Sequence, residues 1–524
     1  MNAPTYIKPW LSNWSWGVRI ALFLILLSSI MEFASISLSQ NYVLSYLGAQ
    51  PEDITFSVQL CYVGILTILP VQFRFLRYFE MRNYLLILTF LSIILNIACI
   101  NVSSVMAFFF IRFFQGMVVG SISGSMLILI PSFLKMEHRA AFGSTIFYGT
   151  VLSSGVLLGL VASAVTLNSD FRNVYYYLIL FQILVLIVIL ISFNQVSNLR
   201  KYPLYQIDWT GAVFFLAVAA GLAYTILYGS KYYWFTDTRI QLSTVVTVAG
   251  AILFLWRERI VKRPGLDLTI FRFKNFWVGL ILLAVYYGSK ESINIIFGYT
   301  VSVLQWSATQ EMILGLCNIT GLIIFMVISA RILVYRKDAI FYFLFAGFSM
   351  SLLYHLWMYC IFTPDLAFED LILPMFFQGA TSGILFVPIM LFTLSAVPQT
   401  TGYTGLIFAA CTRFTSLLNA SAGFYNIQLY YSQLYKENFL HHITGIDENV
   451  TERLNGFRQV FLSKGFSPDQ AAAAANASLA RIVSLQTQLL TNRAVFLFIA
   501  ILTACVLLVI LLVYVIKTLR LLTP

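Results

Sequence analysis

Arg112-Phe113-Phe114-Gln115-Gly116-Met117-Val118-Val119-Gly120 and Met375-Phe376-Phe377-Gln378-Gly379-Ala380-Thr381-Ser382-Gly383 carry one pattern twice, Phe-Phe-Gln-Gly continued as Gly-x-x-x-Gly. The copies start 263 residues apart (113 to 376) in a chain of 524, so each half holds one. Both sit in apolar runs long enough to cross a bilayer. Gly-x-x-x-Gly alone signals close helix packing; the shared Phe-Phe-Gln makes the pair a duplication. Gly116, Gly120, Gly379 and Gly383 are then helix-packing positions in a membrane protein of two related halves, an organisation that secondary transporters use around a central site.

Composition agrees. Apolar residues make up 60%, aromatic residues 16% and charged residues 10% of the chain, with mean hydropathy +0.85. Such a chain belongs in lipid. About fourteen runs reach the roughly 20 residues a spanning helix needs, among them 140–166, 402–431 and 493–518. The fold class expected is all-α, with two pseudo-symmetric six-helix bundles and two inserted helices. The bundles take in 1–200 and 271–524, and the insertion with its link 201–270.

Basic residues collect in alternate loops, most densely at Arg257, Arg259, Lys262, Arg263, Arg272 and Lys274. By the positive-inside rule both termini are cytoplasmic. The net charge of +11 is therefore a topology signal, and no nucleic-acid partner is required. The first apolar run is too long for a cleavable leader and is expected to stay as an anchor. Six cysteines without paired spacing predict neither disulfides nor a metal site. One long extramembrane segment, 432–492, falls outside and is expected to end in a helix capped by Ser467, with Pro468 in the first turn and Gln470 closing a capping box.

Ionisable residues at membrane depth are costly and point to function. Glu32 lies mid-way along the first span, Arg112 early in the fourth, and Lys290 with Glu291 in the middle of the ninth. Glu32 and Glu291 occupy similar depths in the first helix of each half, which places two carboxylates toward one central cavity. Restricted access to water disfavours a carboxylate's charge and a nearby cation favours it, so either acid can load and release a proton. The alternative is structural, with Glu32 paired to Arg112 or Glu291 to Lys290. Adjacent residues point about 100° apart on a helix, so Lys290 and Glu291 cannot both face the cavity. Gln115 and Asn96 are candidates for its lining, and equally for polar helix contacts. His355 reads as a buried hydrogen-bonding residue.

The stretch Arg112 to Gly116 with Gly120 resembles the fourth-helix motif of the major facilitator superfamily, and fourteen spans with a large loop before the last resemble its 14-helix drug:proton antiporter branch. Glu32 falls where that family has its first-helix acid. Asp208-Trp209-Thr210-Gly211 and Leu266-Asp267-Leu268 are similar to the start of the inserted pair and to its link into the second half, and Arg413 to a basic position in the thirteenth helix. Two motifs depart. The loop Gln72 to Arg82 keeps basic residues without the family's glycines and Asp. The fifth-helix antiporter motif reads Gly155-Val156-Leu157-Leu158-Gly159 and lacks its proline. The resemblance implies a proton-driven exporter of hydrophobic or amphipathic compounds in a bacterial inner membrane. It has no cofactor beyond the proton gradient, and its partners are a periplasmic adaptor and an outer-membrane channel.

Glu32, Glu291 and Arg112 are thus the expected proton-coupling residues, with Lys290, Gln115, Arg413 and Asn96 at the substrate cavity. A rival reading keeps the fold and makes the cargo an organic anion drawn by Lys290, Arg112 and Arg413. Another makes the chain a non-transporting sensor or scaffold. No nucleophile elbow, metal-ligand cluster or phosphate loop supports an enzyme.

Overall fold

A computed structural model describes residues 6–36, 40–132, 143, 145–153, 165, 172–195, 203–261, 264–398, 401–443 and 447–522. The described elements are helices: α1 (Pro9–Ser12), α2 (Ser15–Ala34), α3 (Gln40–Leu47), α4 (Pro51–Tyr78), α5 (Met81–Ile100), α6 (Val105–Ser132), α7 (residues 145–153), α8 (Arg172–Ser192), α9 (Trp209–Tyr228) and α10 (Thr238–Ile260). After a short 3₁₀ link come α11 (Lys274–Lys290), α12 (Ser292–Ser302), α13 (Ala308–Tyr335), α14 (Ile340–Ile361), α15 (Phe368–Ser395), α16 (Gly402–His442), α17 (Glu448–Ser463) and α18 (Pro468–Leu522).

Among the described residues twelve helical spans are long and apolar enough to cross a membrane. The chain is a multi-pass membrane protein. Of the other two expected spans, 140–166 falls largely outside the described residues, as do Gly155 and Gly159. The other, 402–431, lies within the 41-residue α16.

The chain forms two compact units. One takes in Met1–Gly288, Ala308–Gly347 and Met375–Leu418, and the other Ser289–Ser307, Phe348–Pro374 and Asn419–Pro524.

Within the first unit the duplicated motif packs the same way twice. A Cβ on Gly116 would stand 2.0 Å from the carbonyl oxygen of Cys61 on α4, and one on Gly379 1.8 Å from that of Asn318 on α13. The partners reciprocate: a Cβ on Gly64 would lie 2.2 Å from Phe113 O, and one on Gly321 2.3 Å from Phe376 O. Backbone meets backbone at all four positions, which any side chain would prevent. Gly64 and Gly321 are the partners that the repeat in α6 and α15 implied without naming.

Also in the first unit, α9 packs on α10 and on α4. Arg257 closes the α9–α10 pair, its Nε 3.2 Å from Asp208 Oδ2 at the start of α9. Helix α4 begins with a capping box, in which Gln50 N–H donates to Asp53 Oδ2 over 3.0 Å.

In the second unit the expected helix start at Ser467 is present. Ser467 N–H donates to Gln470 Oε1 over 3.2 Å, and Gln470 N–H donates to Ser467 Oγ over 3.4 Å. The helix then continues for 55 residues to Leu522, so the expected outer helix and the last span, 493–518, are one element. After Pro468 the run contains no glycine or proline to end it. At about 1.5 Å per residue it is roughly 80 Å long, against a hydrocarbon core of about 30 Å.

Candidate functional site

Glu32 and Arg112 are both buried, at 1% and 0% exposure, but their charged groups do not bond directly. They are joined by a chain of side chains from four helices of the first unit. Arg112 Nη1 donates to Gln115 Oε1 over 2.8 Å, one turn along α6. Gln115 Nε2 donates to Asn96 Oδ1 on α5 over 2.9 Å, and Asn96 Nδ2 to Gln182 Oε1 on α8 over 3.0 Å. Gln182 Nε2 donates to Ser92 Oγ over 2.5 Å. Ser92 Oγ in turn donates to Glu32 Oε2 on α2. The guanidinium also reaches the main chain of α2, 3.4 Å from both Glu32 O and Phe33 O.

Spacing explains the assembly. Arg112 and Gln115 are three apart on α6, and Ser92 and Asn96 four apart on α5, so each pair shares a helix face. Every link donates in one sense, from the cation toward the carboxylate. Such an aligned chain polarises cooperatively, and it satisfies amides that would be costly to bury alone. Two atoms stay outside it: Glu32 Oε1 and Arg112 Nε have no hydrogen-bond partner among the described residues.

The other copy of the motif spends its amide differently. Gln378 Oε1 accepts from Asn318 Nδ2, which also donates to Met375 O over 2.9 Å. With Met375 in place of Arg112, the amide ties α15 to α13. Ser92 and Gln182 were not singled out from sequence. Their signal was faint: Gln182 stands alone among apolar residues from Leu178 to Ile191, and Ser92 lies a turn before Asn96.

Next to this chain, still within the first unit, is a cavity of about 120 Å³. Helices of both sequence halves line it, with Phe33 of α2, Tyr62 of α4, Tyr148 of α7, Tyr287 of α11, and Tyr403 and Arg413 of α16. Arg413 carries the one charge among the described lining residues. Its guanidinium lies 5.8 Å from the Tyr62 ring centroid and 5.4 Å from that of Tyr287, and Nη2 is 3.4 Å from Tyr62 Oη. Tyr403 Oη donates to Leu69 O over 2.6 Å. Of the residues expected at a substrate cavity, Arg413 lines this one. Gln115 and Asn96 are in the hydrogen-bonded chain and not in this lining.

Lys290 and Glu291 stand at a break in the ninth span: α11 ends at Lys290, Glu291 is the cap, and α12 starts at Ser292. In the second unit Glu291 Oε2 accepts from Asn294 Nδ2 over 2.7 Å, and Lys290 is half-buried. His355, expected as a buried hydrogen-bonding residue, has Nδ1 2.7 Å from Ser351 O and Nε2 3.2 Å from Ser292 Oγ.

No family model matches the chain. A probable multidrug resistance protein, EmrY of Escherichia coli, is 23% identical over 456 residues, 86% of this chain and 85% of that protein. The multidrug export protein EmrB of Haemophilus influenzae is 24% identical over 402 residues, 73% of this chain and 72% of its own. Among solved structures, a POT family transporter in complex with a thioalcohol-conjugated peptide superposes with TM-score 0.58 at 13% identity, covering 95% of both chains. The proton:xylose symporter XylE, of the major facilitator superfamily, gives 0.51 at 14% identity over 93% of this chain and 96% of its own. The chain has the major facilitator fold. Its resemblance to the drug:proton antiporter branch agrees with these relatives, whose names are those of export and resistance proteins. In the first unit the hydrogen-bonded chain of α2, α5, α6 and α8 and the Arg413 cavity both build polar chemistry into apolar helices.

Proposed function

We propose that the protein is a proton-coupled exporter of hydrophobic or amphipathic compounds, working by alternating access. The bundles 1–200 and 271–524 rock about the cavity, with 201–270 inserted between them, and Glu32 carries the proton. The observation that carries this reading is the Glu32 carboxylate, buried inside a span with one oxygen held by Ser92 and the other without a hydrogen-bond partner among the described residues. A buried carboxylate so placed is a proton site that the rest of the fold has not neutralised. Phe33, next in sequence, lines the cavity, its ring 4.6 Å from that of Tyr62, and its carbonyl accepts from Arg112. Cargo that displaces Phe33 would strain the contacts that hold Glu32.

The relatives named for multidrug resistance and export support the direction. Charge asymmetry supports cytoplasmic placement of both termini, while a bacterial inner membrane and partnership with a periplasmic adaptor and an outer-membrane channel follow from the family resemblance. No cofactor enters beyond the proton gradient. The test is uptake of a hydrophobic fluorescent compound into everted vesicles energised by respiration. Wild type should accumulate it, and Glu32→Gln should not; uptake that survives an uncoupler would contradict the reading.

A second reading is favoured by one observation. With Arg413 as the charge in an aromatic cavity, the compounds taken best there would be amphipathic anions.

A further inference from the structure

Two glutamines of α4 are buried, and their amides are treated oppositely. Gln72 Nε2 donates to Ser121 O over 2.6 Å and to Ser125 Oγ over 2.9 Å, while its Oε1 accepts from Tyr84 Oη over 2.8 Å. That amide is satisfied, and it ties α4 to α5 and α6. Gln59 is 5% exposed, yet its Oε1 has no hydrogen-bond partner among the described residues. Thr55, Ser57 and Thr67 on the same helix return their hydroxyls to its main chain, so an orphaned polar atom is not a general property of α4. Burying a carbonyl without a donor is costly, and such a group asks for an explanation.

Its place on the helix supplies one. Gln59, Tyr62, Leu66 and Leu69 follow at i, i+3, i+7 and i+10, one stripe of α4. The last three line the Arg413 cavity. Residues seven apart on a helix point within about 20° of each other, so Gln59 projects along the line of Leu66 and extends that wall by one turn toward the start of α4. Tyr62, next on the stripe, has its Oη 3.4 Å from Arg413 Nη2. A cation and an unused acceptor thus flank the same tyrosine.

We propose that Gln59 determines specificity: its carbonyl accepts a hydrogen bond from an N–H or O–H of the cargo, so amphipathic anions carrying such a donor away from the charge are preferred over isosteres without one. This rests on the reading of the Arg413 cavity as a site for amphipathic anions, and it names which of them are taken best. A buried hydrogen-bonding group discriminates more sharply than an apolar wall, because a ligand that lacks the donor leaves it unpaired.

The experiment is equilibrium dialysis of two fluorescent anions against the purified full chain. One is hydroxynaphthalene sulfonate with its two polar groups on opposite rings; the other is its methyl ether, which keeps the shape and charge but cannot donate. Wild type should bind the hydroxyl compound about tenfold more tightly. Gln59→Leu should erase that preference, leave the ether's affinity near wild type, and melt at or above the wild-type temperature, since it removes a buried group that nothing satisfies. Arg413→Gln should weaken both compounds alike. A wild type that binds the two equally, or a Gln59→Leu protein that keeps the preference, would overturn the proposal alone. Loss of folding in Gln59→Leu would overturn it as well, by making the residue structural. Binding of neither compound to wild type would overturn it together with the anion reading.

Discussion

Gln182 Nε2 donates to Ser92 Oγ over 2.5 Å, and this fixes the direction of the serine hydroxyl, whose proton turns to Glu32. An amide on α8 thereby sets the hydrogen bond of an acid on α2 through a residue of α5. Removing Ser92 takes from the carboxylate the donor that favours its charged form. Ser92→Ala should slow proton-coupled transport about tenfold and displace its pH profile, while Ser92→Thr, which keeps the hydroxyl, should restore both. Initial rates across pH in proteoliposomes check this. An unchanged profile in Ser92→Ala would make the chain a matter of packing alone.

The glycine contacts predict opposite signs at different sites. Gly116→Ala and Gly379→Ala drive a methyl into a carbonyl of the facing helix and should each destabilise by about 1–3 kcal/mol or more. Gly298→Ala meets open space within a helix and should be neutral or stabilising by up to about 1 kcal/mol. Thermal unfolding of the three variants in one detergent decides between these outcomes.

Asp208 lies just before the span Trp209–Tyr228. Burial pushes its carboxyl up, but the Arg257 guanidinium, the Thr210 hydroxyl and the Gly211 N–H outweigh this and hold it below the ordinary carboxylate value. A carboxyl lowered by folding adds stability above its unfolded pKa of about 3.9, and that stability is lost as pH falls through the folded value. Arg257 is 38% exposed, so the pair contributes about 1 kcal/mol or less. Asp208→Asn should therefore melt slightly below wild type at pH 7, and the gap should close in acid. A gap that widened at low pH would rule the linkage out.

Arg413 should separate cargo by charge. Arg413→Gln is expected to lower affinity for an amphipathic anion about tenfold and to leave that for a neutral compound of equal size near wild type. Arg413→Lys keeps the charge but not the planar stacking on Tyr62 and Tyr287, and should recover only part of the loss. Competition binding gives both values.

Much of the fold was legible because its causes are local. Apolar length gave the spans, the repeated Phe-Phe-Gln-Gly gave the duplication, and Ser467 with Gln470 gave a helix start. The fusion of the outer helix with the last span was missed, because a helix end was placed at the edge of the apolar run although no glycine or proline follows Pro468 to make one. Site residues were harder. Glu32, Arg112 and Arg413 stand out because charge in lipid is rare, but a hydrogen-bond partner depends on which helix faces meet. Nothing in the sequence says that Gln115 turns to Asn96 on α5 while Gln378, its twin in the repeat, turns to Asn318 on α13. Ser92 and Gln182 are ordinary residues until four helices bring them together.

The central claim is that Glu32 carries the coupled proton, and substrate-driven proton flux in proteoliposomes tests it most directly. With wild-type protein, adding a transported compound against an imposed pH gradient should drive proton movement, and Glu32→Gln should abolish that flux while still binding the compound. A Glu32→Gln protein that moves protons with its cargo as the wild type does would contradict the account.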